Sequence, residues 1–377
     1  MVALKELPLA PPTLGAEERD ALARVIDSGW ITMGECVGQF EEIFAAAHGI
    51  EHGVAVSSAT AGLHLALAAC GIGEGDEVIV PALTFVSTAN AALHAGGRPV
   101  LAEIESIDRP LISLEDVQRR ITTNTRAIVV VHYGGWLCPM KDWRALADKN
   151  GLKLIEDAAH APGMNGVGRH SDAAVFSFYG NKNMTTAEGG MVLTRDEDLA
   201  GRIRRLRSHA MTTLTLDRHA GHAFSYDVTD LGYNFRIDEL RAALGLVQLE
   251  RLAQWNDKRR ELVGKYRDAF NQSNIGIRLP FNADELTSGH LCPALLPEGC
   301  DRQRIMSGLR EEKIHSSVHY PPIHRFSFYR ELLGEQRLPV TEEFTARELS
   351  LPLHPALTHE DVDRVVSTLA SLLEAGK

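Results

Sequence analysis

The chain is predicted to adopt an α/β fold with a large, mostly parallel seven-stranded sheet covered on both faces and a smaller C-terminal α/β domain. Three observations lead there. Short apolar runs alternate with helical patterns through the first two thirds of the sequence. Several of those runs stop at polar, chemistry-bearing residues, as strands do where a parallel sheet opens toward a ligand: Leu154-Ile155 ends at Glu156-Asp157, and Phe176–Tyr179 leads to Lys182. Near Arg236 the character changes to one long apolar pattern with spacings of three and four, through Ile237, Leu240, Leu244 and Val247 to about Tyr266.

Strands are expected at Val54–Ser57, Glu77–Val80, Pro99–Ile104, Ala127–His132, Lys153–Glu156, Ala174–Phe178 and Gly190–Thr194. Helices are expected at Ala16–Ser28, Gly38–Ala47, Ala61–Ala69, Val86–His94, Leu114–Ile121, Lys141–Asn150 and Asp196–Leu206. The proline- and leucine-rich start reads as an arm over 1–12, followed by a large domain over 13–257 that ends in the long helix. A small domain over 258–377 closes with the helix Glu360–Leu373, whose Val362, Val365, Val366, Leu369 and Leu373 share one face.

Composition narrows the function classes. The 377 residues can bury a large core, and the formal net charge of −11 argues against nucleic acid as a partner. Five cysteines without C-x-x-C spacing argue for a reducing compartment and against a zinc site or a disulfide framework. No apolar run is long enough for a membrane span and no signal peptide precedes the arm, so a cytoplasmic protein without a metal is expected. The cluster Arg202, Arg204, Arg205 and Arg207 reads either as a solvated helix face or as a rim that attracts a phosphorylated substrate.

The chemistry is concentrated at the strand ends. A lysine against an aromatic wall, as Lys182 follows Phe176-Ser177-Phe178-Tyr179, loses hydration, and desolvation makes a neutral amine accessible near neutral pH. Such an amine suits Schiff-base chemistry. Asp157, with His160 three residues on and no long helix to cap, reads as a partner for a buried cation. The acid, the histidine and the lysine together fit pyridoxal phosphate (PLP), which needs a lysine, an acid for its pyridine nitrogen and a hydrogen-bond partner for its phenolic oxygen. Ser57–Gly62 fits a phosphate-binding helix start or an ordinary serine/threonine cap. Gly71, Gly73 and Gly75 precede a strand where a dinucleotide loop would follow one, and the Tyr179…Lys182 spacing is one residue short of a dehydrogenase pair, so a nicotinamide site is rejected.

Taken in order, Gly29–Gly34, Ser57–Leu67, Pro81–Asn90, Glu156–His160, Phe176–Gly190, Leu231–Arg236 and Ser317–His324 resemble the DegT/StrS-type sugar aminotransferases over nearly the whole chain. The resemblance implies the fold type I architecture of PLP-dependent transferases and a homodimer with shared active sites. It implies that Lys182 bonds the cofactor, Asp157 pairs with its pyridine nitrogen, His160 contacts its phenolic oxygen and Phe85 stacks on its ring. Ala59, Thr60 and Ser177 would bind the phosphate, joined by Asn234 of the neighbouring subunit. Trp30, Glu188, Tyr320 and His324 would lie near the sugar. The implied reaction moves an amino group from glutamate or glutamine to a keto group on a nucleotide-linked sugar, with the cofactor passing through its pyridoxamine (PMP) form. The sequence departs from the family pattern at Tyr133–Met140 and Glu103–Pro110, and the histidines at 209, 219 and 222 have no assigned role. Three alternatives stay open: an aminotransferase for a cyclitol or other non-nucleotide ketone, a PLP- or PMP-dependent sugar dehydratase, and a PLP-binding regulator without turnover. In the dehydratases of this kind the lysine is replaced by histidine, and Lys182 speaks against that reading.

Overall fold

The computed structural model describes residues 5–213 and 225–375. Seven strands form the main sheet: β1 (His52–Val56), β2 (Glu77–Pro81), β3 (Arg98–Ala102), β4 (Thr125–Val131), β5 (Lys153–Asp157), β6 (Ala173–Ser177) and β7 (Gly190–Thr194). Their spatial order is β1-β7-β6-β5-β4-β2-β3. All ladders are parallel except those of β7, which runs antiparallel to both β1 and β6. The strands read as apolar runs without alternation because both faces are covered; Val78, Ile79, Val80, Ile128, Val129, Val130, Leu154 and Ile155 are all fully buried. Each such side chain contributes about 1.5–3 kcal/mol of burial free energy.

The flanking helices are α1 (Ala16–Ser28), α2 (Glu35–His48), α3 (Ala59–Ala69), α4 (Val86–His94), α5 (Leu114–Arg120), α6 (Met140–Asn150) and α7 (Glu197–Arg207). α1 and α4 have the ends expected from the sequence. α2 starts earlier, at Glu35 instead of Gly38, for a reason that no local pattern carries. The carboxylate of Glu239 accepts from the amides of Gly34, Cys36 and Val37 at 2.8–2.9 Å and caps the helix from a distant part of the chain.

Beyond the sheet runs the long helix, Glu239–Ser273, opened by Asp238, whose side chain accepts from the Arg241 amide at 2.9 Å. It continues past Tyr266 because Phe270, one turn on, is also buried, and it ends where Asn274 turns left-handed. Position 258 therefore falls inside this helix. A second sheet pairs β8 (Cys292–Leu295) with β9 (Glu348–Leu351) antiparallel, and the helices Arg302–Glu311 and His359–Glu374 accompany it. One continuous core joins Trp143 and Leu154 of the first sheet's surroundings to Leu262, Cys292 and Leu369. The described part of the arm is bound to the C-terminal part of the chain: Leu7 is buried and its amide donates to the Lys313 carbonyl at 2.9 Å. All five cysteines are free thiols, and no described helix is long and apolar enough to cross a membrane.

Candidate active site

Strands β1, β2, β5 and β6 finish at one rim of the sheet, and β7, running the opposite way, begins there. A cavity of about 480 Å³ opens at this rim. Its walls bring together Ala59, Thr60, Phe85, Asp157, His160, Ser177, Lys182, Glu188 and Tyr320, residues singled out from the sequence, and add His319, which lay within the Ser317–His324 segment but was given no role.

Lys182 sits on the turn that follows β6. Its amide donates to the Tyr179 carbonyl at 3.0 Å, while the Thr186 amide and the Thr185 hydroxyl fold the segment back onto the Phe178 carbonyl at 2.9 and 3.1 Å. Burial pushes the Lys182 ammonium down to about 8, against the opposing pull of the Asp157 carboxylate. Asp157 closes β5 and is buried. Burial raises its carboxyl above the ordinary range, countered by the Thr88 hydroxyl at 2.7 Å, by the Ala159 amide at 3.2 Å and by Lys182. Thr88, on the inner face of α4, is itself held by Thr84 at 2.8 Å. Each Asp157 oxygen keeps a lone pair for a further donor, so the carboxylate is suited to a cationic ring N–H.

His160 accepts the Gly134 amide at Nδ1 (3.2 Å), which leaves Nε2 as the protonated nitrogen facing the Tyr320 hydroxyl at 3.0 Å. Burial, then Lys182, holds its ring well below the usual imidazole range, and it stays neutral. The Tyr133–Gly135 turn serves this contact. Gly135 has φ 95° and a Cβ there would stand 2.0 Å from the Ser288 hydroxyl, so the departure from the family pattern here is a close packing of two chain segments. His319 donates its amide to Glu348 (2.9 Å) and hydrogen-bonds Ser350 through Nδ1 (2.8 Å); burial and Lys182 push its ring down to about 4.

The opposite end of the cavity is built for an anion. Ser58 caps α3 by accepting the Ala61 amide at 3.1 Å, and the Ala59 and Thr60 amides are first-turn donors without intrahelical acceptors. Ser177 and Tyr179 both face the cavity, two residues apart at the end of β6. At the mouth, Phe85 and Tyr179 are 54 % and 51 % exposed, and Glu188 is exposed as well. An amine with a lowered pKa, a buried carboxylate and an anion-binding helix start around one cavity fit a phosphorylated heteroaromatic aldehyde.

Two of the expected residues, Trp30 and His324, lie elsewhere, and Asn234 is expected to act from a neighbouring subunit. Trp30 lines a separate hollow between α1, α2 and the long helix. His324 is buried and pairs with Glu342 at 3.0 Å, outside the cavity walls. Asn234 is exposed beside Phe235, whose carbonyl accepts the Ser57 amide at 2.8 Å, and it is not a wall of this chain's cavity. His209 is described in a left-handed turn, its amide donating to Tyr233 at 2.8 Å; His219 and His222 lie outside the described residues. The residues that sequence reasoning missed are Thr88 and, behind Lys182, His290. A threonine within an apolar helix and a histidine ahead of a short strand carry no local signal. His319 had one, its place next to Tyr320.

Comparison with known proteins fits this geometry. A family model described as the DegT/DnrJ/EryC1/StrS aminotransferase family matches residues 12–370. The spore coat polysaccharide biosynthesis protein SpsC of Bacillus subtilis (strain 168) is 40 % identical, with 98 % of this chain and 97 % of that protein aligned. The solved structure of DesI in the presence of its TDP-sugar product is 33 % identical with a TM-score of 0.87, covering 98 % of this chain and 94 % of that one. Spr1654 of Streptococcus pneumoniae, solved in a PLP form and a PMP form, is 27 % and 28 % identical with TM-scores of 0.91 and 0.90; 98 % of this chain and 99 % of that one are covered in each.

Proposed function

The chain belongs to the DegT/DnrJ/EryC1/StrS aminotransferase family, and from that premise we propose that it moves an amino group from glutamate or glutamine to the keto group of a nucleotide-linked sugar. It is a PLP-dependent aminotransferase of fold type I, and its relatives are sugar aminotransferases. The observation that carries the finer reading is the pairing of Lys182 with Asp157 across a cavity whose mouth is open and lined by Phe85, Tyr179 and Glu188. DesI, solved with a TDP-sugar product, supports the nucleotide-linked substrate.

When bound, PLP supplies an electron sink for the pair left at the donor's α-carbon. Lys182 and Asp157 would hold it at opposite ends, with His160 at its phenolic oxygen and Phe85 against its ring. The Ala59 and Thr60 amides and Ser177 would take the phosphate, with Asn234 arriving from a second copy.

The rest follows from this chain's own groups. The Lys182 amine, with its pKa near 8, is substantially neutral in mildly alkaline water and serves as a base at Nζ. It removes the α-hydrogen of the amino donor as a proton, and in the second half-reaction it returns a proton to the sugar carbon that carries the new amine. Asp157 stays anionic once a cation faces it, because the Thr88 hydroxyl and Ala159 amide already favour the charged form. His160, kept neutral, donates through Nε2 and adds no positive charge near the lysine. The donor leaves as a 2-oxo acid and the sugar leaves as an amine, so one amino group and one carbonyl oxygen change places. Trp30 and His324 have no part in this reading of the cavity, while Glu188 and Tyr320 border the space for the sugar.

The test is incubation of the PLP-loaded protein with ¹⁵N-glutamate or amide- and amine-labelled glutamine and a panel of nucleotide-linked keto sugars and keto cyclitols. The expected product is a ¹⁵N-amino sugar still attached to its nucleotide. Label appearing only in a cyclitol amine, or a deoxygenated sugar without label, would replace the proposal.

A further inference from the structure

Behind the amine of Lys182 stands a chain of buried polar groups that the reaction as described does not use. His290 is buried just before β8, with its Nε2 3.5 Å from the Lys182 Nζ. Its other nitrogen, Nδ1, lies 2.9 Å from the Asn183 Oδ1. Asn183, the residue after the lysine, is also buried. Its amide nitrogen donates to the Asn256 Oδ1 at 2.8 Å and to the Ser288 carbonyl at 2.9 Å. The Asn256 amide in turn donates to the Pro162 carbonyl at 2.9 Å.

These contacts leave one arrangement of hydrogens. Asn183 spends its amide hydrogens on two acceptors, so its oxygen faces His290 and must accept. Nδ1 of His290 therefore carries the hydrogen, and Nε2 presents a lone pair to Lys182. The ring packs against His160 at a tilt of 33°, with centroids 4.2 Å apart. The groups whose charge reaches His290 are His160, Lys182, His319 and Arg259, and burial, ahead of all of these, keeps it neutral.

We infer that His290 is a positioning residue for Lys182, accepting a hydrogen of its amine at Nε2 and thereby aiming the lysine into the cavity. The chain Pro162–Asn256–Asn183–His290 sets which nitrogen faces the lysine. It ties the long helix and the segment before β8 to the lysine-bearing turn. This rests on the reading of Lys182 as the reactive amine, yet its test does not need the cofactor to react.

The experiment is pH-dependent acylation of Lys182 in the cofactor-free protein, read by peptide mass mapping, for wild type, His290→Asn and His290→Gln. The asparagine keeps a donor for Asn183 but is too short to reach Lys182; the glutamine places an acceptor near the Nε2 position. An accepted hydrogen bond favours the ammonium form, so its loss lowers the midpoint of the labelling curve. A bond to a charged group is worth enough to expect about one pH unit, a tenfold change in the neutral fraction at fixed pH. The expected result is that shift in His290→Asn and its restoration in His290→Gln. Wild-type midpoints in both variants would overturn the inference, as would equal shifts in both. Thermal unfolding separates packing from positioning: a histidine that only stacks on His160 lowers Tm and leaves the midpoint in place. If borohydride with PLP labels no lysine in the wild type, it is the reading of Lys182 that fails, and the acylation curves still decide the role of His290.

Discussion

A Cβ placed on Gly190 would stand 2.7 Å from the amide nitrogen of Ala59. The first residue of β7 is thus packed against the first turn of α3, and the same Cβ would also stand 2.8 Å from the Phe176 carbonyl. The antiparallel β7 pairs Gly190 with Ser177 on one side and Val56 on the other, which fixes this approach. Only a residue without a side chain lets the helix start reach the cavity.

Gly190→Ala should displace the Ala59 amide and weaken phosphate binding. We expect the PLP dissociation constant to rise at least tenfold, about 1.4 kcal/mol or more. Inorganic phosphate should raise the Tm of the cofactor-free variant less than that of the cofactor-free wild type. Fluorescence titration with PLP checks this, and unchanged affinity would remove the anion-binding role of α3.

Lys182→Ala should yield no reduced covalent adduct after PLP and borohydride, whereas wild type yields one on the peptide that carries residue 182. Turnover should fall by several orders of magnitude, as general acid–base and covalent roles are lost together. An adduct at another lysine with normal turnover would end the assignment.

The Lys182 amine, lowered to about 8, should acylate in the cofactor-free protein along a curve centred near that pH, well below that of an ordinary lysine. The Asp157 carboxylate pulls the other way, so Asp157→Asn should move the midpoint to lower pH and cut the transamination rate. A midpoint that stays in place in Asp157→Asn would show that the two groups do not interact.

Glu348 is fully buried, and burial pushes its carboxyl up to about 7, opposed by the Ser350 hydroxyl at 2.5 Å and the His319 amide. The folded form then binds more protons than the unfolded chain between the ordinary glutamate range and pH 7. The contribution of Glu348 to stability therefore falls as pH rises through that window. Glu348→Gln removes the titration. Its stability relative to wild type should improve between pH 5 and pH 8, by an amount on the order of 3 kcal/mol. Urea unfolding at the two pH values measures this. A difference independent of pH would mean that the carboxyl is not desolvated in the folded protein.

The sheet and most helices were legible because their signals are local: apolar runs between turns, and spacings of three and four. The start of α2 was not, because its cap comes from Glu239 on the long helix. The same division holds in the site. Asp157 and Ser177 lie at strand ends and Lys182 on the turn after one, where the chain pattern changes abruptly. His290 and Thr88 are brought to the site by tertiary packing, from segments that read as ordinary structure. Trp30 and His324 belong to motifs carried over by resemblance, and the fold gives them other neighbours: a hollow at α1 for one and Glu342 for the other.

Both legs of the lysine-bearing segment are anchored at one rim, since β6 ends and β7 begins there. Ladder bonds hold each leg to the same sheet that carries Asp157 and leads into α3. The cavity thus has a floor whose parts share one sheet, and a separate wall at His319 and Tyr320 contributed by the C-terminal part of the chain. The spacing of the lysine, the acid and the helix start is set by the sheet and not by that wall.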